Sequence, residues 1–126
     1  MKLITTLCIA LVSVSTLAAP KFTDENCIRA AIGEAGNQGH EGLLAVSCAI
    51  RNRKTLNGVY GFNSKQIDLQ PAYVWIEARK AWTESKYKDV TRGAKYWGSK
   101  TDIETAKFYK KLTFTVKVKD HWFFKE

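Results

Sequence analysis

Two apolar runs separated by a glycine-bracketed break, in CIRAAIGEAGNQGHEGLLAVSCAIRNR from Cys27 to Arg53, commit this chain to a helical hairpin. Ile28, Ala31, Ile32 and Ala35 recur at i, i+3, i+4 and i+7, the spacing of one helix face, and Thr23 or Asp24 stands where a cap is needed. Gly36 and Gly39 bracket a turn, and a second helix from about His40 to Lys54 buries Leu43, Leu44, Val46, Ser47 and Ile50. Glu34 is the odd residue in this hairpin. It falls in the last turn of the first helix, where the negative end of the macrodipole and the small apolar neighbours Ala30 and Ala31 disfavour an ionised carboxylate. A carboxyl held protonated near neutral pH is what a general acid needs, notably one that donates to a glycosidic oxygen. A solvated glutamate at a fraying helix end is the competing reading.

Beyond the hairpin, residues 55–70 read as loop, with Asn57-Gly58, Gly61 and Asn63-Ser64 as turn signals. Pro71 suits the first position of a third helix running to about Glu84, with Trp75, Ala78 and Trp82 along one stripe. Asp89 to Tyr96 is expected to be a short helical segment, and Thr101-Asp102-Ile103-Glu104 has the form of a capping box opening a helix to Lys111. The period then changes to two. Phe114, Val116 and Val118 alternate with Thr115, Lys117 and Lys119, and Trp122 and Phe124 follow, which predicts a C-terminal β-hairpin. The fold class expected is mainly α with a small β-hairpin, an α+β arrangement in one domain over residues 22–126.

The first 18 residues have a different layout: Lys2, then an uncharged stretch rich in Leu, Ile, Val and Ala, then small residues before Pro20. Thr5, Thr6, Ser13, Ser15 and Thr16 interrupt the run, which is shorter than the roughly 20 apolar residues of a membrane span. A signal peptide cleaved after Ala18 is expected, hence a secreted or periplasmic protein with no stable membrane anchor; a tethered form follows if the segment is retained. The formal charge is +8, and removing Lys2 leaves +7. Outside the cell, that balance favours an anionic partner such as cell-wall polymer or a membrane surface, and the dispersed lysines argue against nucleic acid. Of three cysteines, Cys27 and Cys48 remain after cleavage. Both are equally far from the turn of the hairpin, so a disulfide between them is expected, with two buried free thiols as the alternative.

Three segments in order resemble the SleB-like cell-wall hydrolases of the spore-cortex lytic type. IGEAGNQGHEGLLAVSCAIRNR is similar to the family's opening G-E-A turn, E-G pair and apolar helix ending in N-R. DVTRGAKYW resembles its D-x-T-x-G-A-x-Y-aromatic segment, and TFTVKVKDHWFFK its closing strand pair with a histidine. The resemblance spans about residues 25 to 125. It implies a lysozyme-like or transglycosylase-like domain that cuts peptidoglycan between N-acetylmuramic acid and N-acetylglucosamine, with Glu34 as catalytic acid. It also implies substrate-binding roles for Glu41, at the E-G position, for Gln66, a remnant of a Gln-Phe-Ser stretch, for Tyr96 and Trp97 as sugar-stacking aromatics, and for His121. Plainer readings stand beside four of these, helix-start stabilisation for Glu41, core packing for Tyr96 and Trp97, and hairpin support for His121; Asp89 reads as a helix cap rather than a second catalytic carboxylate. Asp120 departs from the Gly or Asn usual in the family.

A hydrolase of the common kind needs a second carboxylate about 5 to 9.5 Å from the first, and no acid is assured of that place, Glu41, Asp68 and Asp89 being the ones to search. A lytic transglycosylase acting through a single Glu is therefore expected, a monomer on glycan strands. No cofactor and no metal are expected, since catalytic zinc takes about three protein ligands and the chain has only His40 and His121 as histidines. The rival outside catalysis is a basic, aromatic wall-binding or antimicrobial protein.

Overall fold

The computed structural model describes residues 18–126; the expected leader lies, up to residue 17, outside the described residues. Helix α1, Asp24–Ala35, opens on Thr23, whose hydroxyl accepts from the Asn26 amide at 3.2 Å. Helix α2, Gly39–Arg53, follows after the turn and ends on Lys54 in the left-handed region. Helix α3 is Ala72–Glu84, with Pro71 at its cap position, where the missing N–H costs no hydrogen bond. These three helices pack on one another through small buried residues: Ala30, Ala31 and Ala35 of α1, Ala45 and Ala49 of α2, Ala78 and Ala81 of α3. Phe123, Leu43, Ile50, Leu56 and Ile67 are the largest of the fully buried side chains.

Residues 55–70 are loop broken by two single 3₁₀ turns, Tyr60–Asn63 and Ile67–Leu69. The first of these lies against α1. A Cβ on Gly33 would stand 1.8 Å from the Gly61 carbonyl oxygen, so only glycine at position 33 lets the two backbones meet.

The sheet has three antiparallel strands, one more than the hairpin expected. β1, Tyr96–Gly98, pairs with β3, His121–Lys125, which also pairs with β2, Thr113–Val118, in the order β1-β3-β2. A register shift between Phe114 and Val116 breaks the strict alternation in β2, which leaves Phe114 half exposed while Val116 and Val118 pack on the core. Between β1 and β2 run the short helix α4, Lys100–Thr105, and a 3₁₀ segment, Lys107–Lys111. The capping box is Ser99 with Asp102, two residues before the one expected.

The helix expected over Asp89 to Tyr96 does not form. Asp89 folds the chain around its own carboxylate, accepting from the Thr91 amide at 2.8 Å, the Thr91 hydroxyl at 2.6 Å and the Gly93 amide at 2.9 Å. Arg92 and Gly93 then take positive φ, which no helix continues through. Burial raises the Asp89 pKa but these bonds, with one from Asn52, outweigh it and hold the carboxyl below its ordinary value.

The disulfide expected between Cys27 and Cys48 is likewise corrected: both are buried free thiols. The helical hairpin brings the two turns of helix together, but the Cys48 thiol is directed at the Lys88 carbonyl, to which it donates at 3.1 Å. Burial pushes the Cys27 thiol up to about 12 and the Cys48 thiol to about 11, so both stay protonated.

Candidate active site

Glu34 is half buried at the end of α1 and opens into a cleft of about 570 Å³. Both of its oxygens are held. The Trp97 indole N–H donates to Oε1 at 2.8 Å, and the Gly61 backbone N–H donates to Oε2 at 2.6 Å. The second contact depends on the close passage of Gly61 over Gly33, and a Cβ on Gly61 itself would stand 2.5 Å from Oε2. Two glycines far apart in sequence thus build one half of the clasp and β1 builds the other. Neither donor is local to α1: the Gly61 amide comes from the loop after α2 and the Trp97 indole from β1.

The rest of the cleft is lined by Arg53, Gly58, Tyr60, Tyr96, Trp97, Asp102, Ala106, Phe108 and Tyr109. Tyr109 donates its hydroxyl to the Trp97 carbonyl at 2.6 Å, which fixes the strand that carries the indole. Burial, and after it the nearby Asp102 and Glu34 carboxylates, push the Tyr109 hydroxyl above its ordinary pKa, so it remains a donor. Arg53 lies 5.2 Å from the Tyr96 ring centroid and 5.9 Å from that of Trp97, and donates to the Lys95 and Asn57 carbonyls. Tyr60, largely solvent-exposed, and Phe108, half exposed, present open aromatic faces, and Phe108 meets Tyr96 edge-on at 5.1 Å. Such a wall suits the apolar faces of pyranose rings.

Of the sequence-predicted residues, Glu34, Tyr96 and Trp97 come together here. Glu41 is exposed in the first turn of α2, where a carboxylate complements the helix start. Gln66 is exposed beside the second 3₁₀ turn and does not line the cleft; its amide N–H is taken by the Ser64 hydroxyl. His121 heads β3, buried, edge-on to Phe123 at 6.2 Å and with Nδ1 unpartnered. Burial lowers its pKa, while Glu34, Asp120 and Asp102 pull the other way.

Asp68 is paired with Arg29 at 3.0 Å and Asp89 is enclosed in its own loop, so neither reaches Glu34's cleft. The second carboxyl on the cleft wall is Asp102, which the sequence reading treated only as part of a helix start. Its Oδ2 accepts from the Ser99 amide at 2.9 Å, which ties it to the first turn of α4. Arg53, Tyr60 and Tyr109 were also missed as site residues. Arg53 closes the N-R end of α2 already noted in the first motif, which was the one available signal. Among the described residues no group of three or more His, Cys, Asp or Glu is arranged to hold a metal ion.

With this geometry in place, two solved structures are informative. The catalytic domain of the Bacillus cereus SleB protein matches with a TM-score of 0.59 at 26% identity, over 85% of this chain and 95% of that one. The chain is similar to a SleB catalytic domain over most of its length. The catalytic domain of the germination-specific lytic transglycosylase SleB from Bacillus anthracis matches with a TM-score of 0.57 at 26% identity, over 84% of this chain and 99% of that one. No protein-family model matches the chain, and no curated protein does. The lysozyme-like, mostly helical class expected from the sequence is thus the observed one.

The motifs of this SleB-like domain now have structural reasons. In D-x-T-x-G-A-x-Y-aromatic, Asp89, Thr91 and Gly93 form the loop just described. Asn52 at the end of α2 donates to Asp89 at 3.0 Å and to the Ala94 carbonyl at 2.9 Å. That brace sets where β1 begins, and β1 delivers Tyr96 and Trp97 to the cleft.

Proposed function

We propose that this chain is a peptidoglycan-cleaving enzyme, a lytic transglycosylase acting on the bond between N-acetylmuramic acid and N-acetylglucosamine, with Glu34 as its catalytic residue. The observation that carries the reading is the clasp: a carboxyl held at both oxygens by N–H donors and turned into an aromatic-walled cleft. The likeness to a domain described as a lytic transglycosylase supports the same reaction.

In this reading Glu34 first protonates the leaving glycosidic oxygen as the C1–O bond breaks. The carboxylate so formed meets two donors already in place, so little reorganisation accompanies the charge. It then takes the proton of the muramyl 6-hydroxyl as that oxygen bonds to C1, closing a 1,6-anhydro ring. The nucleophile is tethered to the reacting sugar, which supplies proximity without a second protein carboxylate. Asp102, the other carboxyl on the cleft wall, is the acid that a hydrolytic alternative would call on.

The enzyme is proposed to be exported by the leader in its first 18 residues and to act as a monomer on glycan strands. Digestion of purified wall in ¹⁸O-labelled water tests the reaction. Transglycosylation leaves no label at the new ends, whereas stoichiometric label at new reducing ends means hydrolysis and makes Asp102 the second carboxyl to substitute.

A further inference from the structure

The proposed reaction uses one wall of the cleft for its aromatic faces and leaves the outer side of that wall unexplained. From Ala106 to Lys119 the chain has five lysines and no acid. Three of them, Lys107, Lys110 and Lys111, lie in the single 3₁₀ segment that also carries Phe108 and Tyr109 into the cleft. In a 3₁₀ helix residues i and i+3 eclipse, so Lys111 stands in line with Phe108 at the cleft and Lys110 with Lys107 beside it.

All three lysines are exposed, and among the described residues none has a carboxylate within ion-pair distance. Five basic side chains elsewhere are ion-paired, Arg29 with Asp68, Arg79 with Glu25, Lys80 with Glu77, Lys88 with Glu84 and Lys95 with Glu126, whereas these three stand together beside the cleft in a segment that holds no acid. The acids nearest in sequence are Glu104 and Asp102, and the latter is turned into its capping box. Like charges spaced this closely repel one another until an anion arrives, and a cleft edge of one sign raises the local concentration of an anionic substrate.

We propose that Lys107, Lys110 and Lys111 form a subsite for anionic groups, carboxylate or phosphate, borne by the glycan strand near the bond that is cut. This rests on the reading of the cleft as a glycan-cleaving site and adds what the strand must carry. Peptide-stem carboxylates and wall phosphate polymers are the two sources of such anions. Exposed ion pairs are individually weak, so three together should change kcat/KM by about tenfold at low salt. The effect fades as the screening length shortens to about 8 Å at physiological ionic strength.

The test compares the full chain with the triple variant Lys107→Gln, Lys110→Gln, Lys111→Gln. Three walls are used: peptidoglycan freed of phosphate polymers, the same wall with its carboxyl groups amidated, and wall retaining its phosphate polymers. The expected result is that amidation lowers wild-type kcat/KM about tenfold and leaves the triple variant unchanged, with equal rates for both proteins on the amidated wall. A wild-type advantage found only on phosphate-bearing wall would assign the anion to phosphate and keep the subsite. Indifference of the wild type to all three walls, or an equal loss by the variant on the amidated wall, would overturn it. Sedimentation binding to the same walls reads the subsite separately from catalysis. If no wall is cut but binding still follows charge and the lysines, the proposed reaction fails and the anion subsite stands.

Discussion

Replacing Gly33 with alanine tests whether the clasp on Glu34 is built by backbone contact. A helix interior favours alanine over glycine by about 1 kcal/mol, so in an open site Gly33→Ala would stabilise α1. Here the new Cβ would lie 1.8 Å from the Gly61 carbonyl oxygen, a backbone atom that no rotamer change can move. Real Cβ contacts essentially never fall below 3.0 Å, so the 3₁₀ turn Tyr60–Asn63 must retreat by about 1.2 Å. That retreat stretches the 2.6 Å bond from Gly61 to Glu34 beyond useful length. Overpacking costs about 1–3 kcal/mol and the lost bond to a carboxylate about 1.5–3, against the alanine gain, for a net loss of about 2 kcal/mol or more. A misplacement of about 1 Å at a catalytic group can cost about a hundredfold in rate. Urea unfolding and wall-digestion kinetics on the same preparation read both quantities. Wild-type stability together with wild-type kcat in Gly33→Ala would refute the argument that this glycine is required by the approach of Gly61.

Trp97→Phe keeps an aromatic wall and removes the indole donor to Glu34, so kcat should fall about tenfold or more while KM changes little, measured on purified wall. Because Cys27 and Cys48 are free, a thiol reductant should leave the melting temperature unchanged; a fall would mean a disulfide forms after all. Burial places the folded-state pKa of His121 below 6.5, so between those values the unfolded chain binds the proton and the folded chain does not. Its contribution to stability is therefore complete above pH 6.5 and is lost as pH falls through the folded value. Comparing urea unfolding of wild type and His121→Asn from pH 7.5 to 4.5 should show a shallower decline in the variant.

The three helices were legible because each carries an uninterrupted 3.6-residue pattern with local start signals, from Thr23 to α1 and from Pro71 to α3. Glu34, Tyr96 and Trp97 were legible through motifs that resemble a known family. What failed did so for physical reasons. Asp89 to Tyr96 takes its shape from side-chain acceptance by Asp89 and from two positive φ values, neither of which has a period. β1 is three residues long, too short to show alternation, and is recruited by pairing with β3, twenty-odd residues on. Cys27 and Cys48 are equally far from the turn along the chain, but pairing also depends on the direction of each Sγ, and Cys48 finds the Lys88 carbonyl instead. Tyr60, Asp102 and Tyr109 reach the cleft from three separate segments, and the contact of Gly33 with Gly61 is equally non-local.

The most direct test of the account is wall lysis by Glu34→Gln, with folding checked by circular dichroism and urea unfolding. The amide preserves shape and can still accept the Gly61 N–H through its oxygen, but it has no acidic proton to give to the glycosidic oxygen. General acid catalysis contributes about a hundredfold or more, so the variant should be folded and at least a hundredfold slower at releasing soluble muropeptides. A folded variant that keeps more than about a tenth of the wild-type rate would contradict the assignment of Glu34 as the catalytic acid.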